Sequence, residues 1–274
     1  MTGHREIDTL FQGAAHAVCA HQIDGFLVDP GPDSSIHNVL DALDGERPRA
    51  VLLTHIHLDH AGATGALCRL WPQAEVWVHE RGARHMIDPS RLVASAQRIY
   101  GDDFDRLWGE VVPVPQERMK ILTGGERWDG FRVEYTPGHA SHHVAYLHEA
   151  TGTAFTGDVA GVRIGDGPIL PPTPPPDIDV ELWLASMDIV EAWKPERLAV
   201  THFGAHAPAG HLDALRERLR LWADRARELD AAGFEAWVRE EMAGDASYLD
   251  AMPPDTLYAG LERYWDKRIS SGDQ

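Results

Sequence analysis

The chain has 274 residues, a formal net charge of −18 and two cysteines, Cys19 and Cys68. That length suits one large domain, or a core with a helical appendage. The acidic balance disfavours nucleic acid as a partner, because negative charge repels a phosphate backbone. Two isolated cysteines make no disulfide framework, and no run approaches the ~20 apolar residues that span a bilayer. The start, Met1 to Glu6, leads into no long apolar segment, so a soluble, cytoplasmic protein without a membrane partner is expected.

In chain order, residues 7 to 30 read as short strands that end in the turn signal Asp29-Pro30-Gly31-Pro32. Ser34 to Leu43 reads as a helix with Asp33 or Ser34 as its N-cap. The apolar run Ala50-Val51-Leu52-Leu53 reads as a buried strand. Ala61 to Leu70 then reads as a helix stopped by Trp71-Pro72, and Glu75 to His79 as a strand. Residues 81 to 120 look helical and form either a lid or a plain outer layer. Strands are expected at Phe131 to Tyr135, before Gly157-Asp158, and at Leu198 to Val200. The proline-rich stretch 168 to 176 should be extended and stiff, as a pocket edge or a connector. Val180 to Trp193 and residues 211 to 232 read as amphipathic helices, with Gly233 breaking the second; Phe234 to Met242 and Thr256 to Ile269 add two more. The predicted division is 1–210 for the catalytic core and 211–274 for a helical subdomain. The Arg-rich face from Arg216 to Arg227 reads as solvated and paired with nearby acids.

The chemistry concentrates in Thr54-His55-Ile56-His57-Leu58-Asp59-His60. Three imidazoles and a carboxylate follow directly on a buried strand. Neutral imidazole and carboxylate oxygen are the usual ligands of zinc-like metals. Residues two apart in an extended segment point the same way, so His55 and His57 can share one metal. Asp59 and His60 follow where the chain turns and can aim at a second point nearby, which suggests two adjacent metals. Further donors arrive at strand ends: His139 in Thr136-Pro137-Gly138-His139, Asp158 in Thr156-Gly157-Asp158, and His202 in Thr201-His202. Asp29 is either a turn cap or a residue that orients the metal loop. Of His142 and His143, one is expected to brace a ligand or touch substrate and the other to be exposed. His79, His206 and His211 read as structural. Ser141 lies near the site without an obvious base.

This order of motifs, His-X-His-X-Asp-His, then Gly-His, Gly-Asp and a late His, resembles the metallo-β-lactamase superfamily of hydrolases over roughly residues 7 to 206. The resemblance implies an α/β (α+β) fold: a four-layer αββα sandwich, here followed by a C-terminal helical subdomain, with metals at one edge. It implies that His55, His57 and His139 hold one metal, Asp59, His60 and His202 the other, and that Asp158 bridges them. The cofactors would be two divalent ions, zinc first, with iron or manganese compatible. The expected activity is dinuclear metal-dependent hydrolysis of a small ester, thioester, lactone or amide. A hydroxide shared by metals ~3.5–4 Å apart would be the nucleophile. Asp59 would orient that hydroxide, and Asp59 or a metal-bound water would donate the proton to the leaving group.

The helical tail resembles the glyoxalase II arrangement, which cleaves glutathione thioesters. That branch needs basic residues near the site. Lysine occurs only at Lys120, Lys194 and Lys267, and Arg163 is the only nearby candidate. The rival readings are an oxidoreductase like the persulfide dioxygenases, with one iron on His55, His139 and Asp158, and a non-catalytic binding protein on the same fold. The partner is expected to be a small molecule; a homo-oligomer is compatible with everything above.

Overall fold

Alternate residues of a strand face opposite sides of its sheet, so the strands buried on both faces are the ones that read as unbroken apolar runs. The computed structural model describes residues 3–242 and 244–271. Six strands build the first sheet in chain order: β1 (Arg5–Asp8), β2 (Cys19–Ile23), β3 (Phe26–Val28), β4 (Ala50–Leu52), β5 (Glu75–His79) and β6 (Met119–Leu122). Pairing is antiparallel from β1 to β3 and parallel from β3 to β6. The second sheet runs β7 (Arg127–Trp128), β8 (Phe131–Tyr135), β9 (Val144–His148), β10 (Thr153–Phe155), β11 (Arg197–Val200) and β12 (Gly204–His206), with one parallel pair, β10 and β11.

The two sheets share a core of inward side chains. Leu52 from β4, Trp77 from β5, Phe131 from β8 and Tyr146 from β9 meet there. Phe26 packs edge-to-face on Phe131 at 5.0 Å and on Trp77 at 5.6 Å. The opposite residues of the same strands, Val51, Val76 and Val78, face outward against the helices α1 (Ile36–Leu43), α2 (Leu58–Ala61), α3 (Thr64–Leu70) and α4 (Glu80–Ile87). Then come α5 (Ser90–Tyr100) and α6 (Phe104–Trp108). The outer face of the second sheet is covered by α7 (Val180–Ala192) and α8 (His211–Glu228). The chain ends in α9 (Ala231–Glu241), α10 (Ala246–Ala251) and α11 (Pro254–Ser271). Residues from α7 through α11 belong to one continuous apolar cluster with that sheet. This is the four-layer αββα arrangement with added C-terminal helices. No helix among the described residues is long and apolar enough to cross a membrane.

Several local expectations need correction. The helix expected from Ser34 opens with a 3-10 turn, Asp33–Ser35, because the Asp33 carboxylate accepts from the Glu110 amide at 2.9 Å instead of capping. The segment expected to be helical up to residue 120 loses regular structure after α6, where Pro113 and Pro115 remove amide donors, and passes through a 3-10 turn at Gln116–Arg118 into β6. Gly233 does not break the long helix. The break falls at Leu229 and Asp230, and Asp230 caps α9 by accepting from Gly233 N at 2.8 Å. The short helix α10 was not anticipated. Three arginines of α8 pair with acids, Arg216 with Asp188, Glu191 and Asp213, Arg218 with Glu241 and Arg225 with Glu228, but Arg216 is largely buried rather than solvated and Arg227 lies over the Trp265 ring.

The tail is tied to the proline-rich stretch. Tyr248 Oη donates to Pro168 O at 2.6 Å and accepts from Ile164 N at 3.1 Å. Thr173 Oγ1 donates to Leu257 O at 3.0 Å. These contacts hold residues 168 to 173 against the C-terminal helices.

Two positions carry testable consequences. Gly138, at φ +127°, lies where an added Cβ would sit 2.2 Å from Trp183 N of α7. Gly138→Ala is expected to cost about 3 kcal/mol or more by chemical denaturation, because backbone must separate to admit it; a loss below about 0.5 kcal/mol would show that the contact is not tight. His21 is fully buried, with Nε2 against Val200 O at 3.0 Å, and its pKa is pushed down to about 3, first by burial and then by His4. The unfolded chain takes up this proton near pH 6.5 and the folded chain only near 3. Stability from this group is therefore complete above pH 6.5 and is lost as pH falls toward 3, by about 2 kcal/mol between pH 7 and 5. His21→Gln should flatten the stability–pH curve by that amount in denaturant titrations at the two pH values.

Candidate metal centre

The sheets deliver their carboxyl ends to one edge of the sandwich, as open α/β sheets commonly do at their ligand sites. His55 follows β4, His57 caps the start of α2, and Asp59 and His60 lie within α2. His139 stands in the loop after β8, Asp158 in the 3-10 turn after β10, and His202 after β11. Gly157 lets that 3-10 turn close on its neighbours, since a Cβ there would lie 2.4 Å from Thr54 Oγ1. All seven predicted donors meet. Ligand atoms of His55, His57, His139 and Asp158 lie within 4.8 Å of one another, as do those of Asp59, His60 and His202.

The spacing is that of a coordination polyhedron. His57 Nδ1 is 2.9 Å from His55 Nε2 and 3.1 Å from His139 Nε2, and His139 Nε2 is 3.2 Å from Asp158 Oδ2. On the other side, Asp158 Oδ1 is 3.4 Å from His60 Nε2 and 3.6 Å from His202 Nε2, while Asp59 Oδ2 is 3.4 Å from His202 Nε2. A tetrahedral ion with ~2.0–2.1 Å metal–nitrogen bonds has ligand edges of about 3.3–3.4 Å. Asp158 thus turns one oxygen to each group.

Protons on the outer ring atoms settle which nitrogens are bare. His139 Nδ1 faces Pro172 O at 3.0 Å and His202 Nδ1 faces Ala17 O at 2.6 Å. Carbonyl oxygens only accept, so these nitrogens carry hydrogen and the Nε2 atoms face inward unprotonated in the neutral rings. His60 Nδ1 donates to Asp29 Oδ2 at 2.9 Å. Thr54 Oγ1 donates to that same oxygen at 2.6 Å and so accepts from His55 Nδ1 at 3.1 Å. This is how metal-binding histidines are oriented, each held by its far nitrogen.

A cation fits this donor set. His60 Nε2 and Asp158 Oδ1 are buried, and neither makes a hydrogen bond, although they lie 3.4 Å apart. An orphaned buried polar atom costs about 1–3 kcal/mol, and a bound ion would satisfy both. The electrostatics agree. Burial opposes ionisation of Asp158, yet His60, His139 and His202 outweigh it and hold the carboxyl well below its usual range. Asp59 is likewise drawn down to about 2, with burial opposing and His60 and His202 prevailing. Burial would lower His60, but Asp158, Asp59 and Asp29 raise it well above the ordinary imidazole value. Three carboxylates therefore call for positive charge at one point. His55 and His139 are pushed down, chiefly by burial, His139 to about 4, and so stay neutral donors.

Asp29 binds the loops together rather than merely capping a turn. It is fully buried and accepts from Thr54 N, Thr54 Oγ1, His60 Nδ1 and Thr201 Oγ1 at 2.6–2.9 Å. Its threonine partners were missed, although each sits directly before a donor histidine, in Thr54-His55 and Thr201-His202. Of the two following histidines, neither is exposed as one was expected to be. His143 is buried behind Thr136, and His142 is half-buried, accepting from Ile56 N at 3.4 Å, with burial pushing it to about 3. Ser141 does find a carboxylate, donating to Asp177 Oδ2 at 2.5 Å, another residue the sequence reading passed over. Arg163 corrects a further expectation: it lines no part of the cavity described next. Its main chain instead brackets His202, with Arg163 N donating to His202 O at 2.6 Å and Arg163 O accepting from Phe203 N at 3.2 Å.

A cavity of about 170 Å³ opens beside His57, Asp59, Asp158 and His202. Residues of α5 and α6 form one wall, the proline stretch a second, and residues 250 to 257 a third. Segment 81–120 and the proline stretch therefore both shape the pocket.

The chain is 29% identical over 213 residues to the metallo-beta-lactamase fold-containing protein ST1585 of Sulfurisphaera tokodaii, covering 74% of this chain and 77% of that one. The crystal structure of ST1585 superposes with a TM-score of 0.69 at 23% identity, over 97% of this chain and 99% of that one. A metallo-beta-lactamase family protein from Thermus thermophilus, TTHA1429, superposes with a TM-score of 0.67 at 21% identity, over 93% and 89%. The hydroxyacylglutathione hydrolase of Aeromonas salmonicida is 30% identical over 142 residues, half of this chain but only 43% of that enzyme. The family model of the metallo-beta-lactamase superfamily matches residues 9–202, a span that holds every donor described above, and the chain belongs to that superfamily.

Proposed function

We propose that the protein is a dinuclear metal-dependent hydrolase of small esters, thioesters, lactones or amides, with His55, His57 and His139 at one ion, Asp59, His60 and His202 at the other, and Asp158 between them. The single observation that carries this reading is the pair of facing orphans, His60 Nε2 and Asp158 Oδ1, inside a set of donors in which His55, His60, His139 and His202 commit their outer nitrogens elsewhere. When bound, two such ions supply Lewis acidity and lower the pKa of a shared water from about 15.7 toward about 7.

The chain's own residues supply the rest. Asp59 is the donor-set carboxylate most open to the cavity, with its side chain 23% exposed, against 4% for Asp158. It is placed to accept a proton from an attacking water and pass it to a leaving group. Asp29, Pro172 O and Ala17 O keep the rings in one tautomer. The apolar walls exclude bulk water and so strengthen every charge interaction inside. Zinc suits the mixed histidine and carboxylate set, but iron does too. The fold neighbours include TTHA1623 in a di-iron-bound form, at a TM-score of 0.52 and 22% identity. An iron-loaded, oxygen-consuming protein is therefore the second reading.

Metal quantification of purified protein, joined to a panel of p-nitrophenyl esters, lactones, acyl-thioesters and phosphodiesters and to oxygen uptake, separates the two. His57→Ala and Asp158→Ala are each expected to lose metal and turnover together, by more than about 100-fold in activity. Full turnover at near-zero metal would refute the hydrolase. Asp29→Asn touches no proposed ligand atom but loosens His60, and should weaken metal affinity roughly 10–100-fold, with turnover recovering at excess metal. Unchanged affinity by competition with a chromophoric chelator would show that Asp29 serves the fold alone.

A further inference from the structure

The cavity beside the centre is specific in what it lacks. Ala96, Tyr100 and Trp108 line one wall, Pro174 and Pro175 the second, and Met252 and Leu257 the third. Among the described residues no lysine or arginine lines it, and its formally charged groups are the carboxylates Asp59, Asp158 and Asp250. Arg106 stands near the mouth, but it is already bound to Gln12 and Asp103. A substrate tail bearing carboxylates or phosphates would therefore enter an apolar, acid-lined space without a partner, and an unpaired buried charge is expensive.

We propose that the substrate is a neutral acyl derivative, an ester, thioester or lactone, whose acyl part is an apolar chain of about ten heavy atoms seated in this cavity. The proposal rests on the hydrolytic reading above and gives it a substrate class. The size follows from the volume: about 170 Å³ is room for on the order of ten water-sized groups. The direction follows from the lining, because His57, Asp59, Asp158 and His202 close one end and the apolar walls lead away from it. Ile99 stays 47% exposed at the cavity, an apolar surface where a chain can enter. The walls are braced in advance, since Thr173 and Tyr248 fasten the proline stretch to the tail, so little ordering is left to binding. Hydrolysis breaks the acyl C–O or C–S bond. The oxygen of water ends on the carbonyl carbon; one of its protons leaves with the alcohol or thiol and the other stays on the released acid.

The test separates the pocket from the chemistry. Metal-free protein is titrated with the neutral fluorophore N-phenyl-1-naphthylamine, and the bound probe is displaced with methyl decanoate or methyl butyrate. Decanoate is expected to displace the probe at least about tenfold more effectively, as each buried methylene adds affinity. Ala96→Trp fills the cavity and Ile99→Glu charges its mouth. Each should weaken probe binding several-fold with an unchanged far-UV circular dichroism spectrum; Ile99, being half-exposed, keeps the test valid if Ala96→Trp does not fold. In the metal-loaded protein, kcat/KM should rise from p-nitrophenyl acetate to decanoate, and the ratio between them should fall in both variants. Equal displacement by the two methyl esters, or probe binding untouched in folded variants, overturns the proposal whatever the turnover. Faster cleavage of a hydroxyacylglutathione thioester than of the decanoate ester also overturns it. Chain-length-dependent binding without hydrolysis of any acyl substrate supports the apolar ligand and overturns the hydrolytic reading instead.

Discussion

The carboxylate of Asp29 is the point on which the arrangement turns. Four donors reach its two oxygens, and they come from the ends of β4 and β11 and from α2, elements of both sheets and of the helix between them. Asp29 itself leaves β3 with φ at +46°, a left-handed conformation that aspartate tolerates better than most residues. A buried carboxylate is costly unless its lone pairs are filled, so the loops must close on it in one way only. Once they do, His55 and His60 are aimed, because Thr54 and Asp29 hold their far nitrogens. The edge of the sandwich is thus organised from behind the donors.

That organisation leaves a deliberate imbalance at the front. Imidazoles packed with ring centroids as close as 3.9 Å, as for the tilted rings of His55 and His60, cannot share many positive charges, and burial drives His55 and His139 neutral. The carboxylates of Asp59 and Asp158 remain ionised there. Protonating His60 answers only part of this demand. Bound metal would answer it with the same donors and would satisfy His60 Nε2 and Asp158 Oδ1, which is why the polar cluster is better read as a binding site than as packing.

Much of the centre was legible because its signals are local. A strand buried on both faces writes itself as an apolar run, and a donor placed directly after such a run has few places to point. His55, His57, Asp59 and His60 satisfy that condition in one segment, and Gly138-His139, Gly157-Asp158 and Thr201-His202 repeat it. The doubled Thr-His dipeptide was equally local but went unused, since only the partner carboxylate at residue 29 gives it meaning. Other features depend on contacts distant in sequence. Gly233 looks like a helix breaker, yet Asp230 supplies a cap one residue before α9 and the glycine simply rides in its first turn. The exposure of His142 and His143 could not be read from spacing, because it is set by Ile56 and Thr136. Arg163 lies three residues past the 3-10 turn of Asp158, but its backbone pairs with His202 and Phe203 and the residue does not line the cavity.

The pocket shows the same limit from the other side. Its walls come from α5 and α6, from the proline stretch, from residues 250 to 257, and from Phe11, Gln12 and Val18, four regions that no period or motif connects. Their meeting has one cause visible in the structure. Tyr248 Oη donates to Pro168 O and Thr173 Oγ1 donates to Leu257 O, across 80 and 84 residues, so the tail cannot dock without pressing the prolines toward the centre. Pro172 then serves two roles at once: its carbonyl oxygen fixes His139, and its ring lines the cavity. A single residue therefore couples the orientation of a donor to the position of the wall. Changes in the tail should be felt at the donor cluster, because the C-terminal helices help to build the cavity beside it.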